Sequence, residues 1–171
     1  TLLRDGEVLE VSGEEMAFGY RDSAVKHSDD VVLRVTLELV KGDVEVLKQE
    51  LADTLASRKS SQPLHAGSAG CMFKNYEIQS DEELSRLQGI LDLPESMVEM
   101  RRVSSGWLID QMGLKGLSAG GAQISEEHGN FLINDGTATA VDIRELVDKV
   151  KKEAKDRYGI DLEEEVHYLG Q

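Results

Sequence analysis

Cysteine is nearly absent: Cys71 is the one thiol in 171 residues. A single cysteine excludes an internal disulfide and a multi-cysteine zinc site, and it fits a reducing compartment. Basic charge is scarce as well. The 19 Lys and Arg face 33 Asp and Glu, for a formal net charge of −14. That balance disfavours nonspecific binding to nucleic acid or to anionic membranes, both of which need a cationic face. No apolar run reaches the roughly 20 residues of a membrane-spanning helix, and no basic-then-apolar leader opens the chain. Internal repeats and low-complexity segments are missing too. No glycine cluster has the spacing of a nucleotide P-loop or a Rossmann fingerprint. What remains is an acidic chain, 40% hydrophobic, of a length that suits one globular domain or a domain and a half. The expectation is a soluble, cytoplasmic protein.

The pattern along the chain mixes strands and helices. Asp5-Gly6 between the apolar runs of 2–9 signals a hairpin. The run 31–39 is rich in β-branched residues, alternates from Leu33 onward and reads as a strand. Between them lies the aromatic loop Phe18-Gly19-Tyr20-Arg21-Asp22-Ser23. Leu47, Leu51 and Leu55 recur every four residues over 43–57, the stripe of an amphipathic helix that Pro63 stops. Helices are also expected over 81–91, ending near Pro94, and over 105–112, with Trp107, Leu108 and Met112 inward. A further helix spans 139–158: Thr139 and Asp142 have capping-box spacing, Ile143, Leu146, Val147, Val150 and Ala154 make one stripe, and Gly159 ends it. The segments 131–134 and 166–169 read as short strands. The fold class expected is α+β.

Two glycine-rich stretches hold the candidate chemistry. In 66–75, Gly67 and Gly70 precede Cys71, and Met72-Phe73-Lys74-Asn75 follow it. Glycines let the backbone approach a ligand closely, and a cation with an amide can hold an anionic substrate. A buried structural cysteine in a glycine turn also explains the stretch. No second thiol could resolve an oxidised Cys71, which disfavours a redox sensor. The second stretch, 113–123, leads into His128. It reads equally as a hairpin with a surface histidine or as a loop presenting Lys115, Gln123 and His128 to phosphate or sugar.

Taken in order, these segments resemble one enzyme family. Phe18-Gly-Tyr-Arg-Asp-Ser23, Gln62-Pro-Leu64, Ser68-Ala-Gly-Cys-Met-Phe-Lys-Asn75 and Gly113-Leu-Lys-Gly116 are followed by Gly120-Gly-Ala-Gln-Ile-Ser125, His128, Asn130-Phe131, Asn134, Ala138-Thr-Ala140 and Leu162-Glu-Glu-Glu-Val166. The chain resembles the UDP-N-acetylenolpyruvoylglucosamine reductase (UDP-N-acetylmuramate dehydrogenase) family from near Leu2 to Gly170.

The resemblance implies that 1–61 is the end of a PCMH-type FAD-binding domain, incomplete because the flavin-cradling loops precede Thr1. It further implies a mixed-sheet α+β substrate-binding domain over 62–171, with the tail 161–171 packing back on the flavin domain. Implied too is a bacterial, cytoplasmic flavoenzyme that takes NADPH and FAD and reduces an enolpyruvyl UDP-sugar for peptidoglycan synthesis, with no metal. In that family scheme Arg21 clamps the substrate carboxylate, Cys71 donates a proton and Glu165 assists. Tyr20, Asn75, Lys115, His128 and Lys59 fall at substrate-facing positions. The chain departs from the family where Cys71 replaces the commonest serine, Tyr76 a proline and His167 an arginine. The segment 77–103 looks inserted. A thiol, with an ordinary pKa near 8.5, is a stronger acid than an alcohol and must be protonated to donate. The alternative reading is a non-catalytic UDP-sugar-binding module without a flavin site of its own.

Overall fold

Asp5 and Gly6 take positive φ (50° and 84°), the backbone that a two-residue hairpin turn requires. They join β1 (Leu2–Arg4) to β2 (Glu7–Leu9), with Leu2 opposite Leu9. In the computed structural model, which describes residues 1–168, β3 (Val31–Val32) pairs with the other edge of β1. The order is β2-β1-β3, all antiparallel. Arg4 ties the hairpin to the approach of β3 through two hydrogen bonds to the Asp30 carboxylate, at 2.9 and 2.6 Å. That bonding holds Asp30 below the usual carboxylate range.

The expected strand over 31–39 stops after two residues. Alternation makes a strand only where a partner offers hydrogen bonds; Leu33 and Arg34 still bond to the backbone of Thr1, and among the described residues no strand pairs with 33–39. Leu33, Val35, Leu37 and Leu39 are all more than half exposed.

The chain divides into two compact units, Thr1–Lys48 and Gln49–Gln171, and the division falls inside helix α1 (Val44–Ser61). Asp43 caps α1, its carboxylate accepting from the Glu45 and Val46 amides at 2.9 and 3.1 Å. The helix ends before Pro63, as its sequence requires. Its expected stripe is a different matter: Leu47, Leu51 and Leu55 are each more than half exposed.

In the second unit four antiparallel strands form one sheet. They are β4 (Gly67–Cys71), β7 (Ser118–Ala119), β8 (Ala122–Ile124) and β9 (Phe131–Asn134), in the order β4-β9-β8-β7. Between β4 and β7 run β5 (Tyr76–Glu77), α2 (Asp81–Gln88), α3 (Glu95–Glu99), β6 (Arg102–Val103) and α4 (Ser105–Gln111). Helix α5 (Ala140–Tyr158) packs on β7 and β8 and touches α4. Both halves of its capping box form, Thr139 accepting from the Asp142 amide and Asp142 accepting from the Thr139 amide. Gly159 closes it in the left-handed conformation at φ 65°, a backbone that costs glycine little. Leu146, Val147, Val150 and Ala154 bury completely against Ile124, Leu108 and Ile109.

The 77–103 segment is part of this core. Strands β5 and β6 pair antiparallel, Tyr76 opposite Val103, and Ile78, Leu87, Leu91 and Val103 join the buried cluster. Tyr76, where the family's proline would stand, donates its hydroxyl proton to Glu83 of α2 at 2.5 Å. Burial, then the Glu83 bond, pushes the phenol up to about 12. The short strand expected over 166–169 does not form over 166–168; Leu169 lies outside the described residues. Instead Glu164 makes an isolated antiparallel bridge with Phe73.

Candidate active site

The glycine-rich stretch before Cys71 is a strand rather than a turn. Gly67 faces Asn134 and Ser68 faces Ile133; the register then slips by one, so that Cys71 faces Phe131. Gly70, at φ 93°, lies within the slip, a conformation that a side chain would resist. Beyond β9's reach the strand line continues. The Met72 amide donates to the Asn130 carbonyl at 2.8 Å. On its opposite edge the Lys74 amide donates to the Glu163 carbonyl and the Glu165 amide to the Met72 carbonyl, both at 2.8 Å. Residues 163–165 thus lie antiparallel to 72–74, and the backbone of Glu165 pairs one residue from half-buried Cys71.

The carboxylates beside Glu165 have lysine partners. Glu163 meets Lys74 at 2.8 Å and Glu164 meets Lys151 at 2.8 Å. Asn75 directs its carboxamide oxygen at the Ser105 amide (3.1 Å), while the Ser105 hydroxyl donates to the Lys74 carbonyl. The chain after Cys71 is therefore docked on the first residue of α4.

Lys115 and His128 share one region. Lys115 pairs with Asp110 at 3.0 Å. The His128 ring stands edge-on to Phe131 with centroids 4.9 Å apart, and its Nδ1 accepts from the Asn130 amide at 3.2 Å. In the neutral ring the proton then sits on Nε2. Burial lowers the His128 pKa, and the Lys115 charge lowers it further. The ring lies so close to α4 that a β-carbon on Gly106 would come within 2.7 Å of it. Gln123, in a stretch that reads equally as a hairpin or as a ligand-facing loop, donates to the Gly116 carbonyl and Ser118 Oγ at 3.1 and 3.2 Å, ordering the β7–β8 hairpin.

In the first unit, Gly19 and Asp22 exchange both backbone hydrogen bonds, so Tyr20 and Arg21 occupy the tip of a tight turn. Arg21 is at φ 55° with its guanidinium 5.9 Å from the Tyr20 ring centroid. Lys59 is exposed in the last turn of α1. The fold therefore gathers three pairs: Cys71 with the Glu165 backbone, Lys115 with His128, and Tyr20 with Arg21.

Along 66–70 opens a cleft of about 760 Å³, lined also by Met72, Leu132, Ile143 and Val166. One wall is Gly67-Ser68-Ala69-Gly70, free of bulky side chains, with open space where Gly70 would carry a β-carbon. A smooth wall beside apolar side chains suits the flat face of a ring system.

These features define a mixed α+β domain with an antiparallel sheet, one long covering helix and a thiol at a strand end. Residues 62–169 match the family described as UDP-N-acetylenolpyruvoylglucosamine reductase, C-terminal domain. The UDP-N-acetylenolpyruvoylglucosamine reductase of Heliobacterium modesticaldum is 37% identical over 97% of this chain and 46% of its own length. That of Thermotoga maritima is 37% identical over 96% of this chain and 50% of its own. The crystal structure of the Thermus caldophilus reductase superimposes with a TM-score of 0.71 at 36% identity, over 97% of this chain and 50% of that one. The chain belongs to the UDP-N-acetylenolpyruvoylglucosamine reductase family. It spans about half the length of the relatives it matches.

Proposed function

We propose that this chain is the substrate-handling part of an NADPH-dependent flavoenzyme that reduces UDP-N-acetylglucosamine enolpyruvate to UDP-N-acetylmuramate, in bacterial cytoplasm, for peptidoglycan synthesis. Residues 1–61 close an FAD-binding domain and 62–171 form the substrate domain, within which 163–165 pair with 72–74. The observation that carries this reading is the pairing of 163–165 with 72–74 in a member of this reductase family. It sets the acidic segment beside the strand end that bears the chain's one thiol.

FAD, when bound and reduced by NADPH, would supply the hydride for the enolpyruvyl methylene carbon, and residues 67–70 would offer a cleft wall without bulky side chains. The neighbouring substrate carbon then bears negative charge shared with its carboxylate. Arg21 grips that carboxylate with a two-point guanidinium fork, stabilising charge where it develops. The Cys71 thiol gives its proton to the carbon, with Glu165 assisting from the adjacent segment. Lys115 and the His128 Nε2–H act as donors to the UDP-sugar, with Tyr20, Asn75 and Lys59 completing its contacts.

Stopped-flow absorbance on the full-length, flavin-loaded enzyme separates the two half-reactions. Cys71→Ala should leave flavin reduction by NADPH intact and slow reoxidation by substrate by roughly 10²- to 10⁴-fold, as for a lost general acid. Cys71→Ser should retain substantial activity. Alanine reoxidising at the parent rate would remove Cys71 from the chemistry.

A further inference from the structure

Three polar residues are buried among the described side chains: Ser105, Ser125 and Asn130. Burying such groups is costly unless each is hydrogen-bonded, and here their bonds converge on one place. Ser105 Oγ donates to the Lys74 carbonyl. Ser125 Oγ accepts from the Glu127 and His128 amides at 3.1 and 3.3 Å, shaping the turn that leads to Asn130. Asn130, 3% exposed, grips a single residue at both ends. Its Oδ1 accepts from the Phe73 amide at 2.9 Å, and its Nδ2 donates to the Phe73 carbonyl at 2.8 Å. Its own carbonyl accepts from the Met72 amide at 2.8 Å.

Three hydrogen bonds with one residue therefore fix the two residues that follow Cys71. They act where regular pairing has just slipped and β9 no longer supplies partners. The opposite edge of the same stretch holds residues 163–165. The strand end after Cys71 thus runs between Asn130 and the Glu165 segment, and Asn130 brings no carboxylate or thiol of its own. Its turn is wedged in place: a β-carbon on Gly129 would come within 2.8 Å of the Gly106 carbonyl.

We propose that Asn130 is the positioning residue that holds the Cys71 strand end and the Glu165 segment in register for proton delivery. The inference rests on the reading of Cys71 as proton donor. An error of about 1 Å in such a group can cost on the order of 10²-fold in rate.

The test compares Asn130→Ala, Asn130→Asp and Cys71→Ala in the full-length, flavin-loaded enzyme, with Phe73 amide hydrogen exchange measured in the same proteins. Asn130→Ala should speed Phe73 exchange about tenfold, the effect of one lost hydrogen bond. It should slow flavin reoxidation by substrate roughly 10²-fold while leaving substrate affinity and flavin reduction by NADPH at parent values. Asn130→Asp keeps the acceptor for the Phe73 amide and loses the donor, so Phe73 stays protected and the rate falls between the two. Asn130 variants reoxidising at the parent rate, while Cys71→Ala is slow, would overturn the positioning role and leave the proton donor standing. Both half-reactions falling together with the melting temperature would reduce Asn130 to a fold-stabilising residue and overturn it as well. Cys71→Ala at the parent rate would instead overturn the reading on which the proposal rests.

Discussion

Burial lowers the His128 pKa, opposed in part by a hydrogen bond to its own backbone and helped by the nearby Lys115 ammonium. A base whose pKa drops on folding binds its proton more tightly in the unfolded chain. Between the folded value and about 6.5, stability therefore rises with pH; it is complete above about 6.5 and declines as acid forces a charge onto the ring. The Cε1 proton shift of His128 should titrate with a midpoint below about 6.5, and His128→Gln should flatten the fall in melting temperature between pH 7 and 5. A midpoint at or above the ordinary histidine value would contradict the burial described here. At this scale the sequence exposes rarity well and partnership poorly. Cys71 stands out as the only thiol, and Lys115 and His128 by their donors. Asn130 is visible only as part of Asn130-Phe131, because its grip on Phe73 crosses 57 residues of sequence. Its one local signal is a lone amide directly ahead of the apolar run of β9.

Among the elements, α5 was legible because cap, stripe and stop all agree, and each survives in the structure. Thr139→Ala removes the hydroxyl that accepts from Asp142 and should cost about 1 kcal/mol. For a chain of this size that is roughly 2–4 °C in melting temperature, and Thr139→Ser should restore most of it. The strands were harder to read. Strand β4 has no apolar alternation, since Gly67-Ser-Ala-Gly offers almost no side chains to alternate. Strands β5, β6 and β7 have two residues each, too few to display a period of two. The opposite error occurred at 31–39 and along Leu47, Leu51 and Leu55. There the periodicity is real, but what those side chains would pack against is information a local pattern does not contain.

Across the second unit, one core joins pieces the sequence kept apart. Leu87 of α2 is fully buried in the same cluster as Leu146 of α5 and Ile124 of β8, so 77–103 is built in rather than appended. Leu87→Ala should destabilise by about 2–5 kcal/mol in a single cooperative urea transition of unchanged slope for this unit. A separate early transition of the 77–103 segment would show that it folds by itself. The pairing of 163–165 with 72–74 has a consequence for biosynthesis. At about 5–20 residues per second, a ribosome makes Glu165 roughly 5 to 20 s after Cys71. Throughout that interval the nascent strand lacks the neighbour that completes its edge, and its thiol is among the most reactive groups yet made. With no second cysteine anywhere in the 171 residues, that thiol has no partner within them to cross-link with while it waits.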